Sequence, residues 1–343
     1  MSATNPGEGR FRSYVQFLAA VIYFFLVRSL AFHTASALVS EQWSPLVEQA
    51  LFAFMLLFGY AAMGFWLNRQ KSPLSSQGWP LRKDIGNEIG RGLATGWGLA
   101  VVCVLPLALA GGIAVSVNSN LSAWGWLFAD IEFFALTALA EELAFRGYGF
   151  QRFAAAVGPI GASIGFAVFY AIVQSLLPGS THATLFVSLA FGLLLSAAYV
   201  RTQALWLSWG LNFAWKASRA LLFGLAVSGI NSHSPVIQGD PMGPFWLTGG
   251  GFGLEDSWVT FFVLLIAIPV LFRITRDLDY IYNAPVLIPG GIPVDLDAAA
   301  RAQHESAMGA SEPAPPALIQ IGPASTPPTI PPPQAGNNRH QSS

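Results

Sequence analysis

Two adjacent carboxylates and an arginine stand in the run Ala140-Glu141-Glu142-Leu143-Ala144-Phe145-Arg146-Gly147, which is otherwise apolar enough for a bilayer interior. Ionisable groups at membrane depth cost roughly 2.5–3.5 kcal/mol each on insertion scales and persist where a bundle gives them partners or a task. Glu141 and Glu142 lie about 100° apart around a helix, so they are expected to face different neighbours. Glu142 precedes Arg146 by four residues, the favourable order for an ion pair that fixes a helix end. Glu141 is then free to meet other helices. Counting eleven residues inward from Arg152, Pro159 and Arg201 reaches Glu141, Tyr170 and Asn212, about 16 Å of helix in each case. Lys216 follows Asn212 by one turn, Ser208 precedes it by one, and Gln174 follows Tyr170 by one. These side chains could build a polar pocket open to the cytoplasm. A carboxylate in such a dry pocket can exchange protons as a general base or acid. The same residues could equally form an interhelical clamp with no chemistry. Asp130 and Glu132 are expected at the outer interface, solvated. Arg28 is expected to snorkel or pair, and Arg219 to make a bundle contact.

The elements that must position these residues follow from composition. Of 343 residues, 53% are hydrophobic and only 10% charged, with a mean hydropathy of +0.52. Soluble domains carry about 25% charged residues, so the chain is expected to be all-α, a polytopic transmembrane helical bundle. A net charge of −1 and a pI near 6.5 argue against nucleic acid as partner. Apolar stretches near the length of a span predict about eight helices, at 14–35, 48–67, 92–116, 131–152, 159–177, 183–200, 203–226 and 257–275. Arginine and lysine cluster in alternate connections, while the loops at 36–47, 117–130, 178–182 and 227–256 hold neither. That alternation places both termini in the cytoplasm. The first apolar run exceeds a signal-peptide core and is expected to remain as a helix. Residues 1–13 form a cytoplasmic N-terminal tail, 14–280 the bundle, and 281–343 a disordered cytoplasmic tail. Twelve of the 23 prolines fall between Pro285 and Pro333, too polar and stiff a segment to repay its ordering entropy. Cys103, the single cysteine, lies in an apolar run and is expected to pack as a small hydrophobe.

The motif Glu141-Glu142-x-x-x-Arg146, followed by two further polar helices, resembles the CAAX-processing and bacteriocin-processing (CPBP) family of intramembrane proteases. The resemblance is strongest across about 130–226 and includes the cadence Leu207-Ser208-Trp209-Gly210-Leu211-Asn212-Phe213-Ala214-Trp215. It extends to the outer loop from Gly243 to Gly253, similar to that of a bacterial branch. The family's other motifs are Phe-x-x-x-His and His-x-x-x-Asn. Here Phe166-Ala167-Val168-Phe169-Tyr170 puts tyrosine for the first histidine. Asn212-Phe213-Ala214-Trp215-Lys216 puts asparagine for the second histidine and lysine for asparagine. Only Glu141, Glu142 and Arg146 carry over unchanged.

The resemblance implies an intramembrane endopeptidase with Glu141 as general base and with Tyr170, Asn212 and Lys216 as altered partners. The loss of both histidines implies the alternative, an inactive pseudoprotease acting as a membrane binding or scaffolding protein. In the family the histidines activate water, steady an oxyanion or are proposed to ligate a metal. Asn212 and Lys216 could still steady an oxyanion. Zinc is not expected, because none of the histidines at 33, 182, 233, 304 and 340 lies in the counted pocket, so the cofactor stays unknown. An ion pair of Glu141 with Lys216 would lock the helices together. The expected partners are membrane lipid and a hydrophobic or lipidated peptide, and the expected location is a bacterial cytoplasmic membrane. No paired broken helices mark a transporter.

Overall fold

A computed structural model describes residues 6–118, 120–234, 236–282 and 304–305. The proline-rich tail expected from 281 onward therefore lies almost wholly outside the described residues. Met1–Ala284 form one compact unit, and every helix and strand named below belongs to it.

The fold is an all-α membrane bundle. Its helices are α1 (Pro6–Leu38), α2 (Ser44–Asn68), α3 (Pro73–Ser76), α4 (Ile85–Leu109), α5 (Leu121–Arg146), α6 (Tyr148–Val157), α7 (Pro159–Ser175), α8 (His182–Thr202), α9 (Leu205–Ala217), α10 (Phe245–Thr248), α11 (Trp258–Ile274) and α12 (Arg276–Tyr282). A π-helical turn, Ser218–Leu222, extends α9, and a two-stranded antiparallel sheet pairs β1 (Ile113–Val117) with β2 (Ile237–Pro241). Among the described residues, five helical segments are long and apolar enough to cross a membrane: Gly9–Leu38, Ser44–Asn68, Ile85–Leu109, Leu121–Val157 and His182–Thr202. α7 and α11 are shorter apolar helices.

Several predicted boundaries move, and in three of the helices the reason is local. The third helix was expected over 92–116 but ends at Leu109. Gly111 adopts φ +75°, a conformation that ends helices, and the chain continues as β1. The fourth helix starts ten residues before the expected 131, capped by the Asn120 side chain, which accepts from Ser122 N. It breaks at Gly147, where a Cβ would collide with the Leu143 carbonyl. The seventh, expected over 203–226, leaves α geometry after Ala217.

Close packing holds the centre. Gly92 and Gly96 bring α4 onto α9 so tightly that a Cβ on either would meet the carbonyls of Leu207 or Leu211. Gly210 returns the fit against the Ile89 carbonyl, 2.8 Å from where its Cβ would stand. Small residues four apart are how membrane helices approach without a hydrophobic driving force. Gly192 of α8 sits in the same way against Ala167 of α7. The helices nearest the core thus lie within side-chain reach of one another. α8 is capped by Thr181 and Thr184 in a reciprocal box. Asp256, far along the chain, accepts from both hydroxyls and from Thr184 N, so the loop before α11 is tied to the start of α8.

Candidate functional site

Glu141, Glu142 and Arg146 come from the last two turns of α5, and Asn212 and Lys216 from one face of α9. Lys216 Nζ lies 2.5 Å from Glu141 Oε1. The Asn212 amide donates to Glu141 Oε2 at 3.0 Å and to Glu142 Oε1 at 3.1 Å. Arg146 Nη1 reaches Glu142 Oε1 at 3.0 Å, the predicted i,i+4 pair. Its Nη2 donates to the Gly192 carbonyl of α8 at 3.2 Å. Ser208 stands beside the Glu142 carboxylate as well. The expectation that the two glutamates serve separate neighbours is corrected. They diverge around α5, yet one amide, using both of its protons, spans the gap between them.

Burial separates the pair more clearly than direction does. Glu142 and Arg146 are fully enclosed, whereas 19% of the Glu141 side chain remains exposed. Of the open polar pocket expected from the depth count, the α5 and α9 side chains are in direct contact with one another. Among the described residues, three polar atoms in it find no hydrogen-bond partner: Glu142 Oε2, Asn212 Oδ1 and Arg146 Nε.

Tyr170 is brought near but not into this network. It is buried on α7 with its ring edge-on to Phe145 at 5.1 Å. Its hydroxyl accepts from Gln174 Nε2 at 2.9 Å. It lies within the electrostatic reach of Glu141 and of Glu255, but among the described residues no hydrogen bond joins it to either. Its hydroxyl is engaged by Gln174, one turn along the same face of α7.

A third ion pair continues the cluster and was not anticipated. Arg219, in the π-helical turn, grips Glu255 through both nitrogens, at 2.6 and 2.5 Å. It also donates to the Trp215 carbonyl at 2.9 Å and lies 4.1 Å over the Trp215 ring. Burial alone would push the Glu255 carboxyl up, but the guanidinium outweighs it and holds it below the usual carboxylate range. The sequence signal was available. Glu255-Asp256 are consecutive acids next to an apolar helix, in a loop without a single lysine or arginine. Three carboxylates, Glu141, Glu142 and Glu255, thus face three cations, Arg146, Lys216 and Arg219.

Asp130 also departs from expectation. It is buried rather than solvated, because the loop after the π turn folds over it. His233 Nδ1 lies 2.8 Å from Asp130 Oδ1, and Ser234 N donates to Oδ2 at 2.6 Å. Arg28 pairs with Glu48 at 2.6 Å. Cys103 is buried, as its apolar surroundings suggested.

Among the described residues no three His, Cys, Asp or Glu side chains are grouped to hold a metal ion. The chemistry of the cluster agrees with that placement. A lysine ammonium has no lone pair to give, and here it already occupies Glu141 Oε1.

No curated protein and no solved structure matches the chain. One family model does, the one described as Rce1-like, type II CAAX prenyl endopeptidase Rce1-like, over residues 120–218. That stretch runs from the cap of α5 to the start of the π turn and contains every member of the cluster except Arg219 and Glu255. Residues 120–218 of this integral membrane protein are therefore similar to the Rce1-like CAAX prenyl endopeptidases.

Proposed function

We propose that the protein keeps the framework of an intramembrane CAAX-type protease as a binding module for a hydrophobic or lipidated peptide, without hydrolysing it. The supporting observation is the pairing of Glu141. One carboxylate oxygen meets the Lys216 ammonium and the other the Asn212 amide. A general base needs a carboxylate oxygen turned toward a water that it can deprotonate. Here both oxygens already serve a charge-neutral clamp. Apart from the clamp, a furrow of about 460 Å³ opens between α4, the first half of α5, α9 with its π turn, and the start of β2. It is lined by Trp97, Ile131, Phe213, Ala217 and Leu221 among others, a surface suited to a prenyl or aliphatic chain. The protein belongs, on this reading, in a bacterial cytoplasmic membrane with both termini inside, as the alternation of basic loops implies.

One observation favours the second reading, an endopeptidase with Glu141 as base. Glu141 alone of the two glutamates is partly exposed. Lys216 and Asn212 would then steady the oxyanion. A single set of assays separates the two. Purified protein is incubated with a panel of membrane peptides, prenylated and unmodified, beside Glu141→Ala and the triple variant Tyr170→His, Asn212→His, Lys216→Asn. The binding reading expects peptide capture without cleavage by the natural chain. Cleavage that disappears in Glu141→Ala would overturn it in favour of the endopeptidase.

A further inference from the structure

β1 is the link between α4 and α5, and it is not buried in the bundle. Its register with β2 pairs Ile113 with Pro241, Val115 with Gly239 and Val117 with Ile237; between these lie Ala114 with Asp240 and Ser116 with Gln238. Side chains alternate between the two faces of a sheet. One face therefore carries Ile113, Val115, Val117, Ile237 and Pro241, and the other Ser116, Gln238 and Asp240. Ile113 is buried, but Val115 and Val117 are 50% and 73% exposed. α10, four residues beyond β2, exposes Phe245 and Trp246, and its loop is tied to the sheet by Met242 N and Gly243 N on the Gly112 carbonyl.

Three facts identify the surroundings of this face. First, it is continuous with exposed apolar helix ends. Leu109 closes α4 and Leu121 opens α5, at 80% and 85% exposure, and both helices are apolar enough to span. Second, there is no lysine or arginine from 92 to 145 or from 220 to 272, so neither strand nor the segments that run into and out of them bring a lysine or arginine to the patch. Third, among the described residues the sheet has only two strands. β2 leans on Gly224 through Gly239 N, at 3.0 Å, which leaves the outer edge of β1 with unpaired backbone groups. Such an edge is excluded from hydrocarbon but is satisfied among headgroups and water.

We propose that the β1–β2 sheet and α10 lie in the headgroup–acyl boundary of the leaflet at that end of the bundle. The valine face and Phe245–Trp246 rest on lipid, and Ser116, Gln238 and Asp240 face water. The arrangement is an interfacial anchor of the kind amphipathic helices provide, about 5–10 Å into the boundary, built here from an amphipathic sheet.

The alternation of the strand supplies the test. Cys103, buried, stays in place, and nitroxide labels are attached to Val115→Cys, Val117→Cys, Ser116→Cys and Gln238→Cys in the full chain, reconstituted in phosphatidylcholine–phosphatidylglycerol vesicles. Power saturation then compares collision with oxygen, which concentrates in lipid, and with a nickel chelate, which stays in water. The ratio of oxygen to nickel accessibility is expected to be several-fold higher at 115 and 117 than at 116 and 238, with Trp246→Cys matching the first pair. Equal nickel access at all positions would overturn the proposal, since the face would then be in water. Labels at 115, 117 and 246 shielded from both reagents would also overturn it, by showing protein rather than lipid on the patch.

Discussion

At the scale of single residues, Lys216 decides what the clamp is worth. Removing one partner of a fully buried ion pair costs about 3–5 kcal/mol, because the other charge is left without compensation. Glu141 is only partly buried, so Lys216→Met is expected to cost less, about 1–3 kcal/mol. Adding Glu141→Gln should recover part of it, since an amide tolerates the loss of the ammonium. Thermal unfolding in detergent reads both variants, and an unchanged Tm for Lys216→Met would remove the ion pair as a source of stability. This pair was legible in the sequence because Glu141 and Lys216 were ionisable and deep. Depth along α5 was less well measured by residue number. Eleven residues from Arg152 cross Gly147, where the helix breaks, and so do not form one continuous rod. Asp130 and Glu255 were not legible in the same way. Their partners, His233 and Arg219, sit 103 and 36 residues away, and only the folding of the intervening loop brings them together.

At the scale of elements, the clamp exists because α4 presses α9 toward α5. Gly96 is the tightest point, and an added methyl there must push against the Leu211 carbonyl and the Leu211–Trp215 backbone. Gly96→Ala is expected to cost about 1–3 kcal/mol by overpacking. Gly98→Ala, two residues along the same helix with nothing within 4 Å of its added Cβ, should be neutral or slightly stabilising, because alanine is the better helix former. The contrast between the two separates close approach from helix propensity, and unfolding midpoints in the same detergent measure it. Equal effects would mean that α4 and α9 part without resistance. The apolar helices themselves were foreseen from hydropathy. The strand β1 was not, since Ile113-Ala114-Val115-Ser116-Val117 reads equally as the end of a span, and only the glycine pair at 111 and 112 marked a turn.

At the scale of the whole bundle, α12 fastens the ends of three helices. Arg91 of α4 grips Asp277 with two bonds, at 2.6 and 2.7 Å, and donates to the Ile274 carbonyl at 3.0 Å. Arg201 of α8 reaches Asp279 at 2.7 Å and the Phe272 carbonyl at 3.0 Å. Tyr282 donates to Glu88 at 2.9 Å and its ring lies 3.5 Å under Arg82. Its hydroxyl is pushed up to about 12 by burial and by Glu88, so it stays protonated across the working range. The hydrogen bonds from Arg91 hold the Asp277 carboxyl below the usual carboxylate range. A group whose pKa is depressed on folding contributes fully above its unfolded value and loses that contribution as pH falls through the folded one. The attachment of α12 is therefore expected to hold at neutral pH and to weaken below about pH 4, the ordinary carboxylate range. Hydrogen exchange across 276–282, corrected for the intrinsic rate at each pH, measures it. In Asp277→Asn protection should be lower at neutral pH and flatter on acidification. A profile identical to that of the natural chain would transfer the pH dependence to Asp279 and its partner Arg201, and would leave Arg91 a contact of α11 alone.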